Sequence, residues 1–189
     1  MAFIELIGDS ELFERDRTAL GYVPNYTRLF GHRPAVYEAW LQLRDAIAAS
    51  MDARRYELAT VAAAARLRSS YCTLAHGKVL ADRFMEPGQV RDAVLDHRSA
   101  GLDEVDVAVM DLAEKVAADA TSVTEADVDR LRDAGLSDAE IFDVVAAAAA
   151  RCFFSKTLDA LGAQADPAFA SLDPELRDAL TVGRPIAAA

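Results

Sequence analysis

A cysteine and a histidine four residues apart, Cys72 and His76 in Ser69-Ser70-Tyr71-Cys72-Thr73-Leu74-Ala75-His76, are the residues of this chain best spaced for chemistry. On a helix that spacing stacks a thiol and an imidazole on one face. An imidazole beside a thiol takes up its proton, and the thiolate is the nucleophile. Twelve residues before Ser69 stands Glu57, inside an alanine-rich stretch. If the backbone folds back between them, the carboxylate orients His76 and holds its charge, completing a nucleophile, base and orienter arrangement. Cys72 is then the reactive group and Glu57 the supporting one.

Helices must do the positioning. There is no sustained period-2 alternation, while Ala, Leu, Glu, Asp and Arg recur with a period near 3.6, so the fold class is all-α, a compact helical bundle. Pro24 and Asn25 mark a turn after a short N-terminal helix. Pro34 suits the first turn of a helix running to about Ser50, with Val36, Trp40, Leu43 and Ile47 as its buried stripe. From about Ala53 a helix carries Leu58, Val61, Ala62, Ala65 and Leu67 inward. The Ser69-Ser70 hydroxyls then offer caps for a new helix beginning near Tyr71. One unbroken helix would separate Glu57 and His76 by roughly 28 Å; a turn at residues 67–70 brings them to similar heights.

Pro87-Gly88 is expected to end the Cys72 helix, a short helix to about His97 follows, and Asp103 to Ala118 faces Val105, Val109, Leu112 and Val116 inward. Thr124 to Asp127 approximates a capping box for a helix ending before Gly135, and Ser137 to Glu140 opens a long helix to about Leu161, closed by Gly162. Asp166-Pro167 begins a loosely organised tail. No repeat, linker or composition shift divides the chain, so residues 1–189 read as one domain, and the alanine runs 62–65 and 146–150 read as close helix contacts.

The balance of 52% hydrophobic to 27% charged residues is that of a soluble globular protein, and a net charge of −11 repels phosphate backbones and anionic membranes. Nucleic acid and membrane are therefore excluded as partners. The richest apolar stretch, Val144 to Cys152, is short and carries Arg151, and the N-terminal residues lack a basic region followed by an apolar one, so a cytoplasmic location is expected. Two cysteines eighty positions apart, Cys72 and Cys152, do not make a disulfide framework or a zinc site. Cys152, beside Phe153 and Phe154, reads as packing. His32 and His97 read as surface loop residues, with no ligand spacing toward a metal, and no phosphate loop or serine elbow is present. Arg66 and Arg68, near the expected turn, read as solvated charges or caps for exposed carbonyls.

At Glu57, Ser69, Cys72 and His76 the sequence resembles the alkylhydroperoxidase D-like, or carboxymuconolactone decarboxylase, family. Its signature is a Glu, eleven residues, Cys-x-x-Cys, and a His four beyond the second Cys. The register matches throughout, with Ser69 in place of the first cysteine. Gly21 to Tyr26, and Gly135 to Ile141 with Phe153-Phe154 and Leu161-Gly162, are similar to flanking segments of the peroxidase-related branch, so the resemblance covers about residues 20–166.

The resemblance implies that Cys72 attacks a hydroperoxide or a partner disulfide, with His76 and Glu57 relaying its proton and no bound cofactor. Ser69 cannot act as the family's resolving cysteine, although its hydroxyl is one helical turn from the thiol. The implied activity is a one-cysteine antioxidant oxidoreductase that acts on a small-molecule hydroperoxide and is regenerated by an external thiol reductant, with homo-oligomeric assembly. Two alternatives stay open: a decarboxylase-like lyase acting on a small acid, and a family member without catalytic activity.

Overall fold

A computed structural model of the protein describes residues 2–8 and 13–188. All regular structure among them is helical: α1 (Glu14–Leu20), α2 (Asn25–Phe30), α3 (Pro34–Ser50), α4 (Ala53–Arg66), α5 (Ser70–Arg83), α6 (Pro87–Asp96), α7 (Glu104–Asp119), α8 (Glu125–Asp133), α9 (Asp138–Ala160) and α10 (Pro174–Leu180), with short 3-10 turns at Ala120–Ser122 and Pro167–Ser171.

The central element is α4, which packs against α5, α7 and α9. Its sequence explains the position: Ala59, Ala62, Ala63 and Ala64 are buried on several sides, and such small side chains let three neighbours approach one axis. Leu58 and Val61 fill the gaps between them, and one hydrophobic core runs from α2 to α10. The starts are set by local chemistry. Asp52 accepts the Arg55 backbone N–H at the head of α4, and capping boxes form at Thr124 with Asp127 and at Ser137 with Glu140. As expected, α4 and α5 are separate helices, divided at residues 67–69, where Arg68 takes a left-handed backbone at φ 57°.

Four expectations are corrected. On α3, Trp40 is buried but Val36 and Leu43 are 42% and 50% exposed; Tyr37 and Leu41 turn inward instead. The helix covers the bundle through its aromatic residues, so the buried stripe is rotated from the aliphatic one. Pro87 does not end α5, which closes at Phe84 with its N–H donating to the Leu80 carbonyl; it occupies the first turn of α6, where its missing N–H costs nothing. The segment after Asp166 is not loose. Leu176 and Leu180 are buried, and the Leu180 carbonyl accepts the Thr73 hydroxyl on α5. Finally, His97 is not a surface residue: it is 7% exposed and bonds Asp111 through Nε2 at 2.9 Å.

Candidate active site

Ser69 stands at the N-cap of α5 with an extended backbone, but its side chain makes no capping bond, and Ser70 Oγ instead accepts the Gly183 backbone N–H at 2.8 Å. The capping role expected of the two hydroxyls is thus not used. Cys72 is the third residue of α5, inside the first turn, where the helix dipole favours negative charge. One turn further along, His76 Nδ1 meets Glu57 Oε2 at 2.6 Å, across the α4–α5 hairpin. Tyr56 packs against the imidazole in a T-shaped arrangement, ring centroids 6.1 Å apart.

Cys72 is only 2% exposed, yet its side chain borders a pocket of about 150 Å³. His76 and Ala75 share the lining, with Tyr26, Tyr37 and Trp40 from α2 and α3, Tyr71 from α5, and Phe154 from α9. Trp40 stacks on Phe154 with centroids 4.8 Å apart, and Phe30 stacks on the same ring at 5.4 Å. Tyr71 is anchored by donating its hydroxyl to Asp166, which also accepts the Asn25 N–H at 2.8 Å. Burial and the adjacent Asp166 carboxylate push the Tyr71 phenol well above its ordinary value, so it stays protonated.

The sulfur's hydrogen bond comes from Arg151 on α9, whose Nη1 donates to Cys72 Sγ at 3.6 Å. Arg151 is 3% exposed, with its guanidinium carbon 5.6 Å from the Trp40 ring centre and 5.5 Å from that of Phe154. These faces supply cation–π attraction to a charge that has left water. No hydrogen bond joins Cys72 to His76 or to Ser69; His76 shares the pocket with the sulfur, whereas Ser69 is buried away from the pocket lining.

Burial, and then the positive charge of Arg151, push the His76 imidazole below its ordinary value, and Glu57 pulls it back only in part. The ring is therefore neutral at neutral pH, with Nδ1–H donated to the carboxylate and the lone pair on Nε2. The expectation that Glu57 holds a charge on His76 gives way to this balance. Chemically, the arrangement offers a nucleophile, a guanidinium beside it, and a neutral base fixed in one tautomer.

The sequence reading missed Arg151. A signal was present, since a lone arginine in the apolar run Val144 to Cys152 lies on a helix with little solvent to reach. Arg44, which also lines the pocket, and the aromatic wall depend on α3 lying over α9 and carry no local mark. Elsewhere, His97, Asp111 and Glu114 bring donor atoms within 4.8 Å of one another, but Arg98 and Arg130 pair with the same Asp111. Cys152 is partly buried and packs on the core.

The chain matches no family model, and no curated protein matches its sequence. Solved structures do match. The alkylhydroperoxidase D core of an uncharacterized peroxidase-related protein from Ralstonia eutropha JMP134 is 25% identical, with a TM-score of 0.77 over 83% of this chain and 84% of that one. An uncharacterized peroxidase-related protein from Silicibacter sp. TM1040 is 20% identical, with a TM-score of 0.81 over 90% and 94%. The debrominase Bmp8, in complex with 2,3,4-tribromopyrrole, is 16% identical, with a TM-score of 0.74 over 95% and 98%. By fold the chain belongs with the alkylhydroperoxidase D-like proteins. No helix among the described residues is long and apolar enough to cross a membrane.

Proposed function

We propose that the protein is a thiol-dependent oxidoreductase that reduces a small hydroperoxide at Cys72. The observation that carries this reading is a single sulfur bordering a pocket together with a buried guanidinium and a carboxylate-oriented imidazole. In the reaction, the Cys72 proton passes to His76 and the thiolate attacks the terminal peroxide oxygen. The O–O bond breaks with its electron pair on the departing oxygen, which takes the proton back from His76 and leaves as the alcohol. Sulfur is oxidised by two electrons to a sulfenic acid, Cys72–SOH. Glu57 orients His76. With Ser69 unable to form a disulfide, one external thiol condenses with the sulfenic acid, releasing water, and a second displaces the mixed disulfide to return Cys72. Homo-oligomeric assembly and a cytoplasmic location belong to the same proposal.

The similarity to a debrominase, with the aromatic lining of the pocket, favours a second reading: attack of the same thiolate on a ring-bound halogen, in which a sulfur–halogen bond forms as the carbon–halogen bond breaks, a proton replaces the halogen on the ring, and external thiol then displaces halide from the sulfur. Both readings need Cys72. Cys72→Ala is expected to abolish hydroperoxide consumption while leaving the protein folded. Turnover of a small carboxylic acid that survives Cys72→Ala but is lost in His76→Gln would instead identify the decarboxylase-like lyase, and absence of turnover of either substrate by the native protein would identify a protein without catalysis.

A further inference from the structure

We propose that the molecule reacting at Cys72 is a small organic anion with a flat, ring-sized apolar body; this rests on Cys72 being the reactive thiol. The chain carries a net charge of −11, yet two arginines, Arg44 and Arg151, line the pocket and no Asp or Glu does. Arg44 shares its charge with Asp45 through Nε at 2.9 Å and Nη2 at 2.6 Å. Arg151 does not share: among the described residues no carboxylate pairs with it, and its buried Nε–H has no acceptor. A buried guanidinium is tolerated when an anion and hydrogen bonds compensate its lost hydration. The Cys72 sulfur occupies one Nη, and the guanidinium, which lines the pocket, has further donors for a second acceptor. The five donors of a guanidinium suffice to hold a thiolate and a substrate carboxylate together, which offsets the repulsion between them.

Size and walls define the rest of the ligand. A cavity near 150 Å³, walled by aromatic rings together with Arg44, His76 and Arg151, has the volume of one benzene-sized ring. Trp40, Phe154, Tyr26 and Tyr37 present ring surface to such a body, while the raised pKa values of Tyr26, about 12, and Tyr37 keep their phenols uncharged beside an anion. The charge of the pocket is thus opposite to that of the chain, and no carboxylate among the described residues pairs with the guanidinium beside the sulfur.

The test uses two reagents of nearly equal shape that differ in charge, iodoacetate and iodoacetamide. With either, sulfur displaces iodide and the thiol loses its proton. In the native protein Cys72 is expected to favour iodoacetate over iodoacetamide by about tenfold or more relative to Cys152 in the same molecule. Arg151→Gln removes the preference and Arg151→Lys retains part of it; if the glutamine variant does not fold, the wild-type ratio against Cys152 decides. Benzoate is expected to slow Cys72 alkylation and benzamide to leave it unchanged. The same reagent ratio at both cysteines, or equal protection by benzoate and benzamide, overturns the anion inference and leaves the reactive thiol standing. Labelling of Cys152 with no labelling of Cys72 by either reagent overturns the thiol reading itself.

Discussion

Arg151 on α9 donates to the sulfur of Cys72 on α5 at 3.6 Å, across 79 positions of sequence. The contact sets a buried cation on the atom proposed to become an anion, and it explains why a charged residue is kept in an otherwise apolar helix segment. Arg151→Met keeps the bulk against Trp40 and Phe154 but removes the charge. Peroxide reduction is expected to fall by ~10²–10³-fold, as for loss of a preorganised electrostatic group. The melting temperature is expected to hold or rise, because an arginine without a carboxylate costs hydration free energy on folding. Steady-state kinetics and calorimetry on the one variant check both halves. A drop in melting temperature with unchanged kinetics would make Arg151 a structural residue.

The His76–Glu57 pair gives a pH dependence with a definite sign. The folded-state pKa of His76 lies below the ordinary 6.5, so the unfolded chain binds a proton that the folded protein refuses. Stability is therefore fully present above about 6.5 and is lost as pH falls through that value toward the lower folded pKa. Melting temperatures from pH 7.5 to 5 are expected to decline below 6.5, and His76→Gln is expected to flatten that part of the curve. Glu57→Gln removes the carboxylate whose charge and hydrogen bond raise the His76 value, and it is expected to slow peroxide reduction by ~10²-fold, in the range of general-base losses.

The C-terminal segment fastens the turn that presents Cys72. Gly183 donates its N–H to Ser70 Oγ, and a Cβ at Gly183 would lie 2.0 Å from the Arg68 carbonyl oxygen, a backbone atom with no rotamer to yield. Gly183→Ala is expected to cost about 1–3 kcal/mol, read as a melting temperature several degrees lower. Gly88, on α6 with open space around it, is the control: Gly88→Ala is expected to leave stability unchanged or raise it by about 0.5–1 kcal/mol. Equal behaviour of the two variants would contradict the packing of the segment against residues 68–70.

Local chemistry was readable in the sequence, and tertiary choices were not. The helix breaks at residues 67–69, the capping boxes at Thr124 and Ser137, and the four-position register of Glu57, Ser69, Cys72 and His76 rest on neighbours within a few turns. Which side of α3 faces inward is decided by α9, whose Phe154 and Arg151 draw Trp40 inward and leave Val36 and Leu43 exposed. The burial of His97 is decided in the same way by Asp111 on α7, and the order of the tail by Leu180 reaching α5. Arg151 belongs with these: its identity stood in the sequence, but its partner is supplied only by the packing of α9 against α4, which brings the guanidinium to the first turn of α5.

Mass spectrometry of the protein after one equivalent of hydroperoxide, with a dione trap for sulfenic acid, decides whether Cys72 is the atom that peroxide oxidises. A trapped adduct is expected on Cys72, absent in Cys72→Ala and strongly reduced in Arg151→Met, with Cys152 unmodified. An unmodified Cys72 beside consumed peroxide, or an adduct confined to Cys152, would contradict it.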